Sequence, residues 1–239
     1  MSFDVKYMFH VLPDIASYIP VTLKLTLVAT LMALPLSLLL AIVNYRRVPV
    51  LHPIARVYIS VIRGTPVMMH IYVLYNLGPY MAAGILKGLN SSINPYKIPN
   101  ILFAYIALSM FTSIGLSEAI RAGLMSVDRG QFEAGEAAGL TNLQTYTSVI
   151  IPQALGVAMP VLCNTITGLI KSTSLAFIMT IVEVTGRAKI LSGNDLKSLE
   201  AYMDTFIIYL VLVYLAEKCF DLAERKLTHY RGNTSKETH

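Results

Sequence analysis

Long apolar runs separated by short polar stretches set the pattern of this chain. The first run, Leu25 to Val43, begins as early as Ile19 and stops at the basic pair Arg46 and Arg47. A second starts around Val57 and continues past Arg63 through "GTPVMMHIYVLYNLGPYMAAGIL", and a third runs from Ile98 to Ser117 and ends near Arg121. The fourth extends from near Val149 to Lys171 and gives way to "STSLAFIMTIV". That piece of about eleven residues is too short to be another span and reads as a half-helix. The fifth, Ala201 to Ala216, carries Asp204 near its start and is closed by "EKCFDLAERK". Uncharged runs of roughly 18 or more residues cross about 30 Å of hydrocarbon as helices. The pattern therefore predicts an all-α integral membrane protein of five spans, one domain over residues 1–239.

Composition agrees: 55% of the residues are hydrophobic and 14% charged, and the mean hydropathy is +0.59, too apolar for an ordinary soluble domain of this length. Lys and Arg gather in short cytoplasmic loops. Arg46, Arg47 and Arg56 fall on one side, and Lys218, Arg225, Lys226 and Arg231 share it if five spans alternate. Lys87, Lys97, Arg187, Lys189 and Lys197 fall on the other. The expected orientation is N-terminus outside, C-terminus cytoplasmic. No cleavable signal peptide is evident in "MSFDVKYMFH", so the first span is expected to direct its own insertion. Cys163 and Cys219 form neither a disulfide framework nor a metal spacing and read as inert packing residues. The basic residues are dispersed along membrane flanks without stacking aromatics, which excludes a nucleic-acid surface. Pro35, Pro66 and Pro160 lie in or near spans, where neighbours must meet the lost backbone bonds.

One stretch breaks the apolar pattern, "QFEAGEAAGLTNLQTYTSVIIPQ" from Gln131 to Gln153. As a helix, "QFEAGEAAG" presents a thin, smooth surface with Glu133 and Glu136 three apart on one side. Gly139 suits a left-handed helix stop, and Thr141 or Asn142 can cap the next helix. Two readings stay open from spacing alone: a docking helix on the cytoplasmic side, or a solvated link between spans.

The residues here carry a resemblance. Glu133, Ala134, Gly135, three residues, Gly139, nine residues and then Val149, Ile150, Ile151, Pro152 resemble the EAA loop of ABC importer permeases, with Gly135, Val149 and Ile151 replacing the usual Ala, Ile and Leu. "VIRGTPVMMHIYVLY", "SEAIRAGLMSVDRGQFEAGEAAGL" and "LIKSTSLAFIMTIVEVTG" are similar to segments of the polar amino acid branch of that family, so the likeness covers about Val57 to Tyr209. The resemblance implies a type I ABC importer permease fold of five helices with a cytoplasmic coupling helix, and a coupling loop at about 126–148. Glu133, Ala134, Gly135, Glu136, Ala137, Ala138 and Gly139 would dock on the ATPase. The implied partners are a cytoplasmic ATP-binding subunit in two copies, a second permease subunit that is identical or a paralogue, and an extracytoplasmic amino-acid-binding protein. The implied location is the bacterial inner membrane, among its lipids. Independently, the chain has no GxxxxGK[ST] loop to cradle nucleotide phosphates. It is expected to be no enzyme and to hold no cofactor and no metal of its own; ATP and Mg belong to the partner.

Ionisable groups inside a membrane are costly and so mark function. Lys171 ends the uncharged part of the fourth run just before "STS", whose hydroxyls can serve backbone groups freed at a helix break. Transporters commonly bind at such breaks near the midplane. Asn164 and Thr167 lie on a broadly shared face with Lys171. The expected substrate site is therefore Asn164, Thr167, Lys171, Ser172, Thr173 and Ser174. Lys171 as a snorkelling helix end and Asn164 as interhelical glue are the alternatives. Glu118 and Arg121 read as a structural ion pair, and His70 as a hydrogen-bonded packing residue.

The resembled branch often has Asn-Glu around Asn164 and Lys-Asp-Thr-Ser around Lys171; here Thr165 and Ser172 replace the acids. A site for cationic side chains favours a carboxylate opposite the cation, so cationic amino acids are less expected; the wording "IKSTSLAFIMTIVEVTGRAKILSG" followed by "LEAYM" resembles cystine-type permeases, which makes cystine the expected substrate. The competing classes are an ion-driven secondary transporter and a membrane-embedded enzyme. For the latter, His10, His52, His70, His229 and His239 fit no zinc spacing.

Overall fold

The computed structural model of the chain describes residues 3–228. Arg231, His229 and His239, used in the readings above, lie outside the described residues. The described chain is helical throughout. Helix α1 (Val5–Ala16) is capped by Asp4, whose side chain accepts from the Tyr7 amide at 3.0 Å. Helix α2 (Ile19–Arg46) starts with a proline in its first turn and stops at Arg47, which takes the left-handed conformation with φ 51°. Helices α3 (Leu51–Gly64) and α4 (Val67–Gly88) follow. Then come α5 (Asn100–Met125), α6 (Gly130–Ala137), α7 (Asn142–Thr145), a π turn over Tyr146–Ile150 and α8 (Ile151–Ser172). A 3-10 segment, Thr173–Met179, leads to α9 (Val184–Asp195) and α10 (Ser198–Thr228).

Helix α5 is the centre of the molecule, with α2 on one side and α8 on the other. Leu25 and Ala29 of α2, Tyr105 and Leu108 of α5, Leu169 of α8 and Ala176 of the 3-10 segment form one buried cluster. Against lipid the hydrophobic effect cannot drive this packing, so close backbone approach has to. Small residues allow it: a side chain at Gly123 of α5 would run into the Ala154 carbonyl, and one at Gly115 would meet Thr165. Leu27, Leu31 and Leu38 on the outer face of α2 stay exposed, as lipid-facing residues should.

Two expectations change. The second apolar run is not one straight span, because α3 and α4 meet at an angle of 103°. The cause is local: Thr65 is extended (φ −121°, ψ 141°), as the residue before a proline prefers, and Pro66 starts α4. The piece after Lys171 is not a separate half-helix either. It continues α8 as a tightened turn up to Thr180, which takes φ 63°, so residues 142–179 form one apolar helical stretch. Among the described residues three helical stretches, Ile19–Arg46, Asn100–Met125 and Asn142–Met179, are long and apolar enough to cross a membrane, and a fourth if the bent pair counts as one. Helix α10, 31 residues long, runs beside α8 and α9.

Helix α1 was not anticipated. It lies on α9 and α10, burying Val11 and Ile15 against Val184, Ala188, Ala201 and Ile208, and two ion pairs clamp it, Asp14–Arg187 at 2.5 Å and Asp4–Lys197 at 2.6 Å.

Candidate functional site

The polar interruption folds as its residue types dictate. Helix α6 holds Glu133 to Ala137, Gly139 stops it at φ 75°, and Thr141 opens α7 with a capping box, accepting from the Gln144 amide while the Gln144 side chain accepts from the Thr141 amide. The two faces of α6 differ. Its back is pinned: Gln131 accepts from Gln153 of α8 at 3.1 Å, the Phe132 and Tyr146 rings meet edge to face at 5.1 Å, and Gly135 is buried against Thr145. Glu133, Ala134, Glu136, Ala137 and Ala138 on the other side are exposed. A thin open face on a fixed back is suited to lodging in a partner's groove. The π turn sits where this element joins α8, a geometry frequent at functional positions.

Along α8 the expected substrate residues separate into two groups. Thr167 and Thr173 are buried, and their hydroxyls donate to carbonyls of their own helix, Thr167 to Cys163 at 2.9 Å and Thr173 to Ile170 at 2.7 Å. Ser172 and Ser174 do the same toward Gly168 and Lys171. The expected opening of the helix is absent: the Thr173 amide still donates to α8 carbonyls, and the chain tightens rather than unwinds. Short hydroxyl side chains in a helix turn back on the preceding turn, and that geometry prevails here. Asn164 and Lys171, seven residues apart, are exposed on one face.

That face borders a series of cavities. Lys171 lines one of about 610 Å³ with Glu217, Tyr209 and Tyr214 of α10. Glu217 also lines a second of about 300 Å³ with Cys163 and Asn164. Asn164 continues into a third of about 370 Å³ with Arg63, Glu118, Thr165 and Gly168. Glu118 is shared in turn with a fourth of about 640 Å³ near the ends of α2 and α5. Neighbouring cavities thus share polar residues all along the series, from Lys171 to the end of α5.

Glu118 is paired with Arg63 across α3 and α5, not with Arg121. Arg121 instead directs a guanidinium nitrogen at the Met125 sulfur, 2.9 Å away. Spacing on one helix could not reveal a partner brought in by the bend at Thr65 and Pro66. His70 hydrogen-bonds Thr65 at that bend, at 2.8 Å.

Sequence reading also missed Glu183. Fully buried, it caps α9 by accepting from the Gly186 amide at 2.9 Å and accepts from the Tyr209 hydroxyl at 2.7 Å and from Thr22 at 3.3 Å. Tyr209 also lies 3.5 Å from the Thr173 hydroxyl, so the network locks α2, α9 and α10 to the end of α8. The available signal was an acid placed three residues before Gly186, a capping spacing.

The sequence profile described as binding-protein-dependent transport system inner membrane component matches residues 33–229. The chain is 33% identical over 229 residues to the probable amino-acid permease protein YxeN of Bacillus subtilis (strain 168), covering 94% of this chain and 96% of that one. It is 32% identical over 226 residues to the L-cystine transport system permease protein TcyL of the same organism, covering 95% and 92%. Among solved structures, the crystal structure of an amino acid ABC transporter with histidines superposes with a TM-score of 0.75 at 29% identity, covering 95% of this chain and 100% of that one.

Proposed function

The chain belongs to the family of binding-protein-dependent transport system inner membrane components, and from that premise we propose that it moves cystine inward as the permease subunit of an ATP-driven importer. As a permease it is a transport component and not an enzyme. The observation that carries the reading is α6, whose back is fixed to the start of α8 while its small-residue face is open. A partner ATPase, in two copies that bind ATP and Mg, would receive Glu133 to Gly139 in its groove. Displacement of α6 then passes through Thr145, Tyr146 and Gln153 into α8, which carries it about 30 Å along its axis to Lys171.

Helix α10 serves as the fifth span, with the N-terminus outside and residues 126–148 in the cytoplasm. A second permease subunit, identical or a paralogue, closes the path by two-fold packing, and a binding protein delivers substrate outside. The path runs past Lys171, Asn164 and the Arg63–Glu118 pair. Cystine has two amino-acid ends, each with a carboxylate and an ammonium. Lys171 with Glu217, and Arg63 with Glu118, supply a cation and a carboxylate in each of two cavities, and no acid stands at Thr165 or Ser172 to favour a cationic side chain.

The test is uptake of labelled cystine into proteoliposomes holding the permease, its ATPase and binding protein, against a panel of polar amino acids. ATP-dependent cystine uptake is expected, and Ala137→Trp on the open face of α6 is expected to abolish it and release the ATPase without lowering the melting temperature. Uptake of another amino acid alone overturns cystine; uptake independent of ATP overturns the importer.

A further inference from the structure

The cavity between the ends of α2, α3 and α5 shares Glu118 with the path but is otherwise lined by cations that the path does not use. Arg47 from the end of α2, Arg56 from α3 and Arg121 from α5 line it, with Glu118 as its one carboxylate and His52 beside them. Glu118 is already engaged by Arg63. None of the three arginines has a carboxylate partner among the described residues, and the buried His52 Nδ1 has no hydrogen-bond partner there. The C-terminus of α2 contributes about half a negative charge, which offsets at most part of one guanidinium. The surplus positive charge asks for an anion, and guanidiniums match phosphate oxygens in bidentate geometry.

The neighbouring surface says which anion. Helix α3, at 14 residues, is too short to cross a membrane and stands at 103° to α4. On the face turned away from the cavity it exposes Ile54, Val57 and Val61, at 60%, 64% and 55%, an apolar stripe of one helix face. A short helix with an apolar stripe and a cationic flank belongs at the headgroup boundary, and basic pockets between membrane helices take lipid headgroups. The turn that folds α3 back over α2 holds Arg47 and Val50 at positive φ, 51° and 69°. For a β-branched residue such as Val50 that is a costly conformation, which the surrounding structure must enforce.

We propose that this pocket binds the phosphate of an anionic phospholipid, in a membrane surface on which the Ile54, Val57 and Val61 stripe seats α3. The purified full-length permease would be titrated with dioctanoyl phosphatidylglycerol, dioctanoyl phosphatidylcholine or inorganic phosphate, reading the melting temperature and, by native mass spectrometry, bound lipid. Saturable stabilisation by phosphatidylglycerol alone is expected. Arg56→Gln should weaken it about fivefold, the worth of one basic residue at an anionic surface, while Arg46→Gln, whose side chain lines a different cavity, should leave it unchanged. Should Arg56→Gln melt below wild type without lipid, Arg121→Gln takes its place. An equal shift with inorganic phosphate would assign the pocket to a soluble anion and overturn the lipid. An equal shift with phosphatidylcholine, equal losses in the pocket and Arg46 variants, or no shift would overturn the site itself.

Discussion

At the scale of single residues, α6 rests on a close approach that its sequence encodes. A Cβ at Gly135 would lie 2.7 Å from both the methyl and the hydroxyl of Thr145, inside van der Waals contact. Gly135→Ala should therefore cost about 1–3 kcal/mol by overpacking, despite the better helix propensity of alanine. Thr145→Ala should relieve it, so a double-mutant cycle in thermal unfolding should give a favourable coupling between the two changes; additive losses would mean that Gly135 does not touch Thr145. The same logic of satisfied and orphaned groups applies to Glu183. Tyr209→Phe removes the hydroxyl that donates to it at 2.7 Å and leaves a buried carboxylate with weaker partners. A loss of about 1–3 kcal/mol is expected, read as a lower melting temperature of the purified chain.

At the scale of elements, α1 is held by charge as well as by Val11 and Ile15. Hydrogen bonding from Lys197 holds the Asp4 carboxyl below its usual range, and hydrogen bonding from Arg187 does the same to Asp14. A depressed carboxyl contributes stability that is fully present above its unfolded value, near 4, and is lost as pH falls through its lowered folded value. The melting temperature of wild type minus that of Asp14→Asn should therefore stay constant from pH 7 to about pH 5 and shrink only below about pH 4; a difference that vanishes between pH 7 and 5 would refute the pairing. Both pairs are part-exposed, so salt should diminish them too. By contrast α6 is held by ring packing, a buried glycine and one amide hydrogen bond, which salt leaves largely intact.

At the scale of the whole molecule, orientation can be read from its own thiols. Cys219 is exposed on α10 and Cys163 half-buried on α8. In a Cys163→Ser background, a membrane-impermeant maleimide should label Cys219 in inside-out vesicles and not in intact cells; the reverse pattern would invert the topology. Much of the architecture was legible along the chain, because lipid-facing helices must carry their apolar character in consecutive residues. The α6 helix, its left-handed stop at Gly139 and the Thr141 capping box were legible for the same reason: caps and stops are made by residues within a few positions of each other. The sequence by itself thus determined the apolar stretches, the local shape of α6 and the family. Only the tertiary structure decided that Glu118 pairs with Arg63, that Glu183 ties α2, α9 and α10 together, that α1 docks on α9 and α10, and that four of the six expected substrate residues turn their hydroxyls back into their own helix. Each of these depends on which segments meet in space, and a charge or hydroxyl with several possible partners goes to the one that packing brings within reach.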